Sequence, residues 1–398
     1  MNLHWLKPLL GRPSPFTTVY LDATRAEVAG EVEAAERWRT VRRGLERDGA
    51  PRAVLDEIGE LVSRPTGVRA PHGRVLVADA EGVRVDRLLS TPPAQSSGVV
   101  APVPALLPAV RSADESVQYL LVEVDRFGAD LTWATAWGPG ITEAGERASV
   151  EGDHDEVHKV REGALSRRGQ TRAEDSWERN AEAVAAALDR RVAERTPELV
   201  VLTGDVRAVA LVRDEIGQQV RDLLVEVPGG ARGDGVNQEA FAARVAQVVD
   251  EVRERRRAEV LDRFRTARGR GEGAVTGLDD VIEVLRRGQV DELVLHVAAL
   301  VAGLSERTLW VGPEPLQLAT SPEDLEALGV TQGAREMPAD VALVRAAVGQ
   351  DAGLTFADDG LVDLVDGVGA VLRWSDGSTP SEAVPTQSAD QSRLRDVV

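Results

Sequence analysis

Apolar residues along the chain form short continuous or alternating runs, separated by longer stretches with apolar positions at helical spacing. The short runs predict strands and the longer stretches predict helices, so we expect a fold of the α/β class. The first hundred residues predict a strand at 16–21, a helix from about 27, and a hairpin of strands at 74–79 and 83–88. The segment 90–108 is rich in Pro and Ser and is predicted to be a linker.

The same pattern continues through the rest of the chain. The predicted strands lie at 119–125, 129–134, 199–204, 223–227, 292–296, 308–311 and 368–374. The predicted helices lie at about 173–195, 238–268, 277–287 and 339–349. A polar stretch at 138–172 shows no clear period. We therefore predict three α/β units, at 1–108, 109–268 and 269–375, followed by a disordered tail at 376–398.

Composition narrows the possible functions. The 398 residues include 47 Lys and Arg against 66 Asp and Glu, a formal net charge of −19. This argues against a diffuse nucleic-acid coat but allows a local basic patch. Cysteine is absent, which excludes disulfides, thiolate nucleophiles and cysteine-based metal sites. No apolar run reaches the ~20 residues of a membrane span, and the N-terminal residues lack the apolar core of a signal peptide, so we expect a cytoplasmic protein.

The segment 159–172 is the most informative part of the sequence. It carries five basic residues against one acid, within a strongly acidic chain. Its basic residues, together with the glycines and the glutamine beside them, are Lys159, Arg161, Gly163, Arg167, Arg168, Gly169, Gln170 and Arg172. A basic, glycine-containing loop that leads into a helix suits contacts with phosphate groups, although a solvated loop without a partner is about equally consistent with the residues. Trp177, on the helix that follows, is expected in the core.

A second basic loop lies in the first unit. Its cations are Arg64, Arg69, His72 and Arg74, with no acid among them. If the first unit contacts RNA, this loop is where we expect the contact, although an ordinary connecting loop is about as consistent with the residues. His154 and His158 have the i, i+4 spacing of a possible metal site, but a third ligand is not evident. We favour a solvated acidic turn there, and expect neither a metal nor another cofactor.

The order of motifs in the middle unit resembles the central domain of the archaeo-eukaryotic release factor superfamily. A strand hairpin ends in Val124-Asp125, with Asp125 as a turn residue, and is followed by His158-Lys159 and the Gly/Arg/Gln loop. A helix with Glu174 and Asn180 and the strand at 200–205 complete the series. The resemblance extends from Phe16 to Arg373, and is closest to an actinobacterial branch that is similar to the ribosome hibernation factor Balon and its mycobacterial relatives.

This resemblance implies a three-domain, release-factor/Pelota-like architecture with the shape of a transfer RNA. The middle domain would hold a ribonuclease-H-like mixed sheet with flanking helices. Such a protein enters the A site of the 70S ribosome, with its first domain at the decoding centre and its middle domain toward the peptidyl-transferase centre. The implied partner is ribosomal RNA, elongation factor Tu can accompany the factor, and no membrane or DNA is involved. His158 and Lys159 would lie at the edge of the functional loop.

The loop departs from the Gly-Gly-Gln sequence with which release factors bring water to peptidyl-tRNA. Gly163 has no second glycine after it, and Gln170 follows Gly169 but has Arg167 three positions before it. A hydrolytic water needs a close backbone approach and a held polar group. We therefore favour a hibernation factor that occupies the A site and blocks translation under stress, without a catalytic residue. The alternatives are a peptidyl-tRNA hydrolase that acts through Gln170 and an acidic scaffold without ribosome contact.

Overall fold

The computed structural model describes residues 1, 3–24, 30–68, 70–138, 141–151, 167–232, 236–297, 304–358 and 360–380, without the side chains at 30–32, 167–176 and 305. The fold is mixed α/β with four sheets, which confirms the predicted class. No helix in the described part of the chain combines the length and apolar composition that a bilayer span requires.

The first sheet is antiparallel, with strand order β3-β2-β1-β4. Its strands are β1 (Phe16–Asp22), β2 (Gly73–Asp79), β3 (Gly82–Leu89) and β4 (Ser97–Ala101). The helices α1 (Gly30–Arg47) and α2 (Arg52–Ser63) cover one face, where Trp38, Leu45 and Ile58 are buried. The predicted strands at 16–21, 74–79 and 83–88 are confirmed.

The linker predicted at 90–108 is wrong in part, because it contains β4 and the start of α3 (Leu107–Asp114). β4 pairs with β1, and a Cβ at Gly98 would lie 2.8 Å from the Val41 side chain, so α1 packs directly on this strand. The prolines lie beside the strand and not within it, which is the usual position of proline at a sheet edge. The composition of the segment therefore concealed a short edge strand.

The middle sheet has the order β7-β6-β5-β8-β9, antiparallel from β7 to β5 and parallel from β5 to β9. Its strands are β5 (Val117–Asp125), β6 (Gly128–Gly138), β7 (Ile141–Glu151), β8 (Leu199–Gly204) and β9 (Leu224–Glu226). Its helices are α4 (Arg167–Glu194), α5 (Val206–Glu215), α6 (Gln218–Leu223) and α7 (Gln238–Arg270). The helices α4 and α5 cover one face and α7 covers the other, so both faces of the central strands are buried.

The polar stretch at 138–172 contains regular structure, although its sequence shows no clear period. It contains the strand β7, whose side chains are exposed along most of its length, so the strand carries no apolar alternation that a sequence pattern could detect. The helix α4 begins at Arg167 rather than near residue 173. Residues 167–172, predicted as part of a loop, are therefore helical.

The third unit holds a four-stranded sheet and a three-stranded sheet, with orders β10-β16-β11-β15 and β13-β12-β14. Its strands are β10 (Ala274–Thr276), β11 (Val290–His296), β12 (Thr308–Val311), β13 (Leu318–Ala319), β14 (Arg335–Pro338), β15 (Gly353–Ala357) and β16 (Val368–Leu372). Its helices are α8 (Leu278–Arg286), α9 (Pro322–Ala327) and α10 (Ala339–Gly349). Within the tail predicted from 376, residues 376–380 form a turn in which the Thr379 hydroxyl accepts a hydrogen bond from Gln289, at 2.9 Å.

The three units are joined by shared packing. Leu6 and Leu9, from the 3₁₀ turn His4–Leu9, lie in one continuous core with residues of the first sheet and of the third unit. The helix α7 packs on the middle sheet through its first half and on the third unit through its second half. The first and middle units meet at Arg87, whose guanidinium lies 4.5 Å from the ring centres of both Trp5 and Trp137.

Candidate functional site

The candidate site lies at the carboxyl edge of the middle sheet, where β5 and β8 end. β7 also ends at this edge, because Glu151 pairs with Gly128 at the start of β6. The residues between 151 and 167 contain the first part of the basic segment, and the chain resumes as α4 at Arg167. In parallel α/β sheets, ligands bind beyond the carboxyl ends of the strands. The strand β7 and the helix α4 thus border the edge where ligand sites are common.

The helix α4 is anchored to this edge well inside its length. The Asn180 side chain is buried, and its Nδ2 donates a hydrogen bond to the Arg126 carbonyl at 2.9 Å. At about 1.5 Å per helical residue, Arg167 lies about 20 Å farther along the helix axis. The first turns of α4 therefore carry the second half of the basic segment beyond the sheet edge.

The turn between β5 and β6 is built by Asp125 and Gly128. One carboxylate oxygen of Asp125 accepts hydrogen bonds from the backbone N–H groups of Phe127 and Gly128, at 2.8 and 3.0 Å, which confirms its predicted role as a turn residue. A Cβ at Gly128 would lie 2.0 Å from the Val150 carbonyl oxygen, so only glycine allows β7 to lie this close. The turn presents Phe127 to solvent, with 52% of its surface exposed.

Two arginine–aromatic pairs line this edge. The Arg126 guanidinium lies 5.4 Å from the Phe127 ring centre, and the Arg207 guanidinium lies 4.8 Å from the Trp177 ring centre. Val206, between the end of β8 and Arg207, is 86% exposed. We call these five residues the aromatic–arginine edge. Exposed aromatic rings and guanidinium planes are groups on which nucleobases stack, and arginine also binds phosphate.

Trp177 differs from its prediction as a core residue. Its side chain is half-buried and lines a small cleft together with Asp125, Arg126, Asn180 and Asp205. The neighbouring positions on α4 that enter the core are the small or branched residues Ala181 and Val184. Trp177 thus marks the point where α4 leaves the sheet, and it receives Arg207 from α5 on its outer side.

The carboxylates at this edge are engaged by arginine. Asp130 accepts hydrogen bonds from Ser149 at 2.7 Å and Arg147 at 2.8 Å, and Arg232 lies 3.2 Å away. Burial alone would raise the pKa of Asp130, but these hydrogen bonds and the two positive charges hold that pKa below its usual range. Arg232 also lies 3.3 Å from Asp125. The negative charges of Asp125 and Asp130 are thereby compensated by arginine, so the edge can face an anion.

Burial also acts on Glu123, which lies on β5 behind the edge. Desolvation raises the pKa of its carboxyl, and the charge of Asp130 adds to this effect, while Arg147 opposes it. The Arg147 guanidinium lies 4.0 Å from the Glu123 carboxylate, so this pair is looser than the pair between Arg147 and Asp130.

The residues of the predicted basic segment fall into two groups. His158, Lys159, Arg161 and Gly163 lie outside the described residues, as does His154. The backbone of the second group lies on the first turns of α4, and its side chains are not described; this group comprises Arg167, Arg168, Gly169, Gln170 and Arg172. Helical spacing places Arg168 and Arg172 on one face of α4, four residues apart.

The second basic loop is only partly available for a partner. His72 is fully buried, and its two ring nitrogens lie 2.8 Å from the Thr66 hydroxyl and the Ala70 carbonyl. Arg74 lies on β2 and forms a bidentate pair with Asp86, at 2.7 and 2.6 Å. Both side chains are used within the first unit. Arg64 is exposed, and Arg69 lies outside the described residues.

Sequence reasoning missed Phe127, Val206 and Arg207. Two signals were available: Phe127 is an aromatic residue at a turn position, and Val206 is an apolar residue two positions after the end of β8. Polar residues are usual at such positions. In the described part of the chain, three or more His, Asp or Glu side chains do not converge as a metal site.

Residues 118–270 match the model of the family described as Bacterial archaeo-eukaryotic release factor family 2. The match confirms the predicted resemblance of the middle unit to the archaeo-eukaryotic release factor superfamily. Two uncharacterized proteins of Mycobacterium tuberculosis, from strains CDC 1551 and H37Rv, are each 29% identical over 383 residues, 94% of this chain and 97% of theirs.

Two solved structures match most of the chain at low sequence identity and low TM-score. An archaeal translation termination factor is 16% identical over 93% of this chain and 96% of its own, with a TM-score of 0.22. Pelota of Archaeoglobus fulgidus is 14% identical over 77% of this chain and 80% of its own, with a TM-score of 0.28.

Proposed function

We propose that the protein is a cytoplasmic ribosome-binding factor that occupies the A site of the 70S ribosome in a tRNA-like manner and blocks translation under stress. The middle unit would contact ribosomal RNA through the basic segment and the aromatic–arginine edge. Elongation factor Tu is the second partner that the resemblance to Balon-like factors suggests. The match of residues 118–270 to a release-factor family model supports a role in translation.

The observation that carries the proposal is the aromatic–arginine edge beside the basic segment. Phe127 and Trp177, each with an arginine at its ring, lie where β7 ends and where α4 leaves the sheet. RNA that enters this edge would meet stacking surfaces at the sheet and phosphate-binding cations on the first turns of α4. The net charge of −19 would repel RNA elsewhere, which limits binding to these groups.

Co-sedimentation with vacant 70S ribosomes tests this proposal. We expect saturable binding whose affinity falls as salt rises, and a double change of Arg167→Ala and Arg168→Ala that weakens binding and flattens the salt dependence. The matched control is the double change Arg190→Ala and Arg255→Ala, which removes the same charge from exposed positions away from the edge. Absence of binding at low salt, or equal binding by both double variants, contradicts the proposal.

Hydrolysis of peptidyl-tRNA through Gln170 is the second candidate, and the match to a release-factor family model favours it. Gln170 lies on helical backbone, where a glutamine has less freedom to approach a substrate than in a glycine-rich loop. A peptidyl-tRNA release assay in the same tubes separates the two functions. Release that is abolished by Gln170→Ala would establish hydrolysis, whereas binding without release would support occupancy.

A further inference from the structure

A cavity of about 420 Å³ lies between the N-terminal segment and the third unit, away from the middle sheet. One wall comes from the 3₁₀ turn at His4–Leu9 and from the chain around Val103, and the other from β14 and α10. Its apolar lining includes Leu6, Leu9, Phe16, Met337 and Val344. A cavity of this size and lining matches the usual pockets for small molecules, which are mostly apolar with a few placed polar groups.

Arginine dominates the charged part of the cavity wall. The described lining holds Arg12, Arg335 and Arg345 against one acid, Glu314. Arg12 is paired with Glu81 at 2.8 Å. Within the described residues, Arg335 and Arg345 form no ion pair at 4.0 Å or less. Arg335 and Arg345 therefore bring two positive charges to the cavity lining, with Glu314 as the one acid there.

Arg345 is held in place by the backbone. Its Nη2 donates hydrogen bonds to the carbonyls of Gly312 and Pro313, at 3.0 and 2.5 Å, while its buried Nη1 has no partner among the described residues. Burial lowers the pKa of Arg345 to about 10; the positive charge of Arg335 acts in the same direction, and the negative charge of Glu314 opposes it. Placing two like charges together in an apolar environment is unfavourable unless an anion accompanies them.

We propose that this cavity binds a small amphipathic carboxylate, with its carboxylate group between Arg335 and Arg345 and its apolar body along the leucines and Val344. The planar guanidinium fork matches a carboxylate with two parallel hydrogen bonds. The apolar wall would remove the hydrocarbon part of the ligand from water. The ligand would bridge the N-terminal segment and the third unit, since both form the cavity.

Titration calorimetry with octanoate tests the proposal, and 1-octanol serves as a neutral probe of the same chain length. We expect saturable binding of octanoate at one site per chain, and binding of 1-octanol that is about tenfold weaker, because it lacks a charge-assisted hydrogen bond. Equal binding of the two probes would show an apolar cavity without anion recognition and would overturn the proposal. Absence of octanoate binding at millimolar concentration would also overturn it.

Two substitutions locate the bound carboxylate. Within the described residues, the Arg335 side chain forms no hydrogen bond or ion pair. Arg335→Gln removes its charge from the cavity lining and should weaken octanoate binding by about tenfold. Arg345→Lys keeps the charge but loses the fork, and it should weaken binding as well; thermal unfolding identifies any loss of folding from the bonds to Gly312 and Pro313. The control Arg52→Gln removes an exposed arginine outside the cavity and should leave affinity unchanged. Unaltered affinity in Arg335→Gln overturns the proposed site.

Discussion

Phe127 is an aromatic residue that the fold leaves exposed. It lies at the tip of the turn between β5 and β6, 52% exposed, with the Arg126 guanidinium 5.4 Å from its ring centre. Stacking of one base on an aromatic side chain contributes about 1–3 kcal/mol. If the proposed RNA contact is correct, Phe127→Ala should weaken 70S binding by about tenfold and leave stability nearly unchanged.

Co-sedimentation measures the change in 70S affinity of Phe127→Ala, and urea unfolding measures its change in stability. Trp374→Ala is the matched control, because Trp374 is 48% exposed and lies outside the middle unit. A loss of affinity in Phe127→Ala but not in Trp374→Ala supports stacking at the edge. Equal affinities for Phe127→Ala and the unchanged protein would exclude a stacking role for this ring.

The lowered pKa of the Asp130 carboxyl makes the free energy of unfolding depend on pH. Hydrogen bonds from Ser149 and Arg147, with the charge of Arg232, keep the pKa of its carboxyl lower in the folded protein than in the unfolded chain. A lowered folded pKa stabilises the protein fully above the unfolded value of about 4, and this stabilisation is lost as the pH falls through the folded pKa. Asp130→Asn should therefore lower the free energy of unfolding by about 2 kcal/mol at pH 7.

The loss of unfolding free energy caused by Asp130→Asn should become smaller as the pH falls below about 4. Urea unfolding of both proteins at several pH values measures it, with Asp130→Asn compared against the unchanged protein at each pH. A difference that stays constant between neutral and acidic pH would show that the carboxylate charge is not what stabilises this edge.

At the scale of the element, α4 is the part of the fold that positions the basic segment. Asn180 links it to the turn between β5 and β6 through the hydrogen bond to the Arg126 carbonyl. Asn180→Ala leaves this carbonyl without its partner and should lower stability by about 1 kcal/mol. Because the helix would also lose its anchor, ribosome binding should weaken more than the loss of stability explains.

A control with a similar effect on stability is available in α7. Asn237 caps this helix, and its side chain accepts a hydrogen bond from the Ala240 N–H at 3.0 Å, so Asn237→Ala should cost about 1 kcal/mol as well. Sedimentation of both variants separates anchoring from stability. If the two variants bind ribosomes equally well, Asn180 has only a structural role.

At the scale of the element, the burial of its side chains decides whether a strand can be predicted from the sequence. β5 and β8 were predictable because their apolar side chains are buried by helices. β7 was missed because its side chains are mostly exposed, and β4 because prolines surround a short edge strand. The basic segment was visible in the composition, whereas the pairing of Arg207 with Trp177 depends on the packing of α5 against α4, which no local pattern encodes.

At the scale of the whole molecule, the three units are not independent. The first and third units share one continuous core, and α7 connects the middle unit to the third. The first and middle units meet where Ile141 packs with Val68 and Leu88, and where Arg87 lies between two tryptophans. A factor that contacts the ribosome with two units would need such a joint to hold them at a constant spacing.

A substitution of Arg87 tests the contact between the first and middle units. Burial lowers the pKa of Arg87 to about 10, with Glu143 opposing the shift, so the guanidinium lies in a largely apolar environment between Trp5 and Trp137. Each stacked ring contributes about 0.5–2 kcal/mol, and Arg87→Ala should lower the free energy of unfolding by about 2 kcal/mol. Arg52→Ala, at an exposed position of the first unit, should have little effect. Urea unfolding monitored by tryptophan fluorescence measures both variants, and equal stability of Arg87→Ala and Arg52→Ala would show that the stacked arginine does not hold the units together.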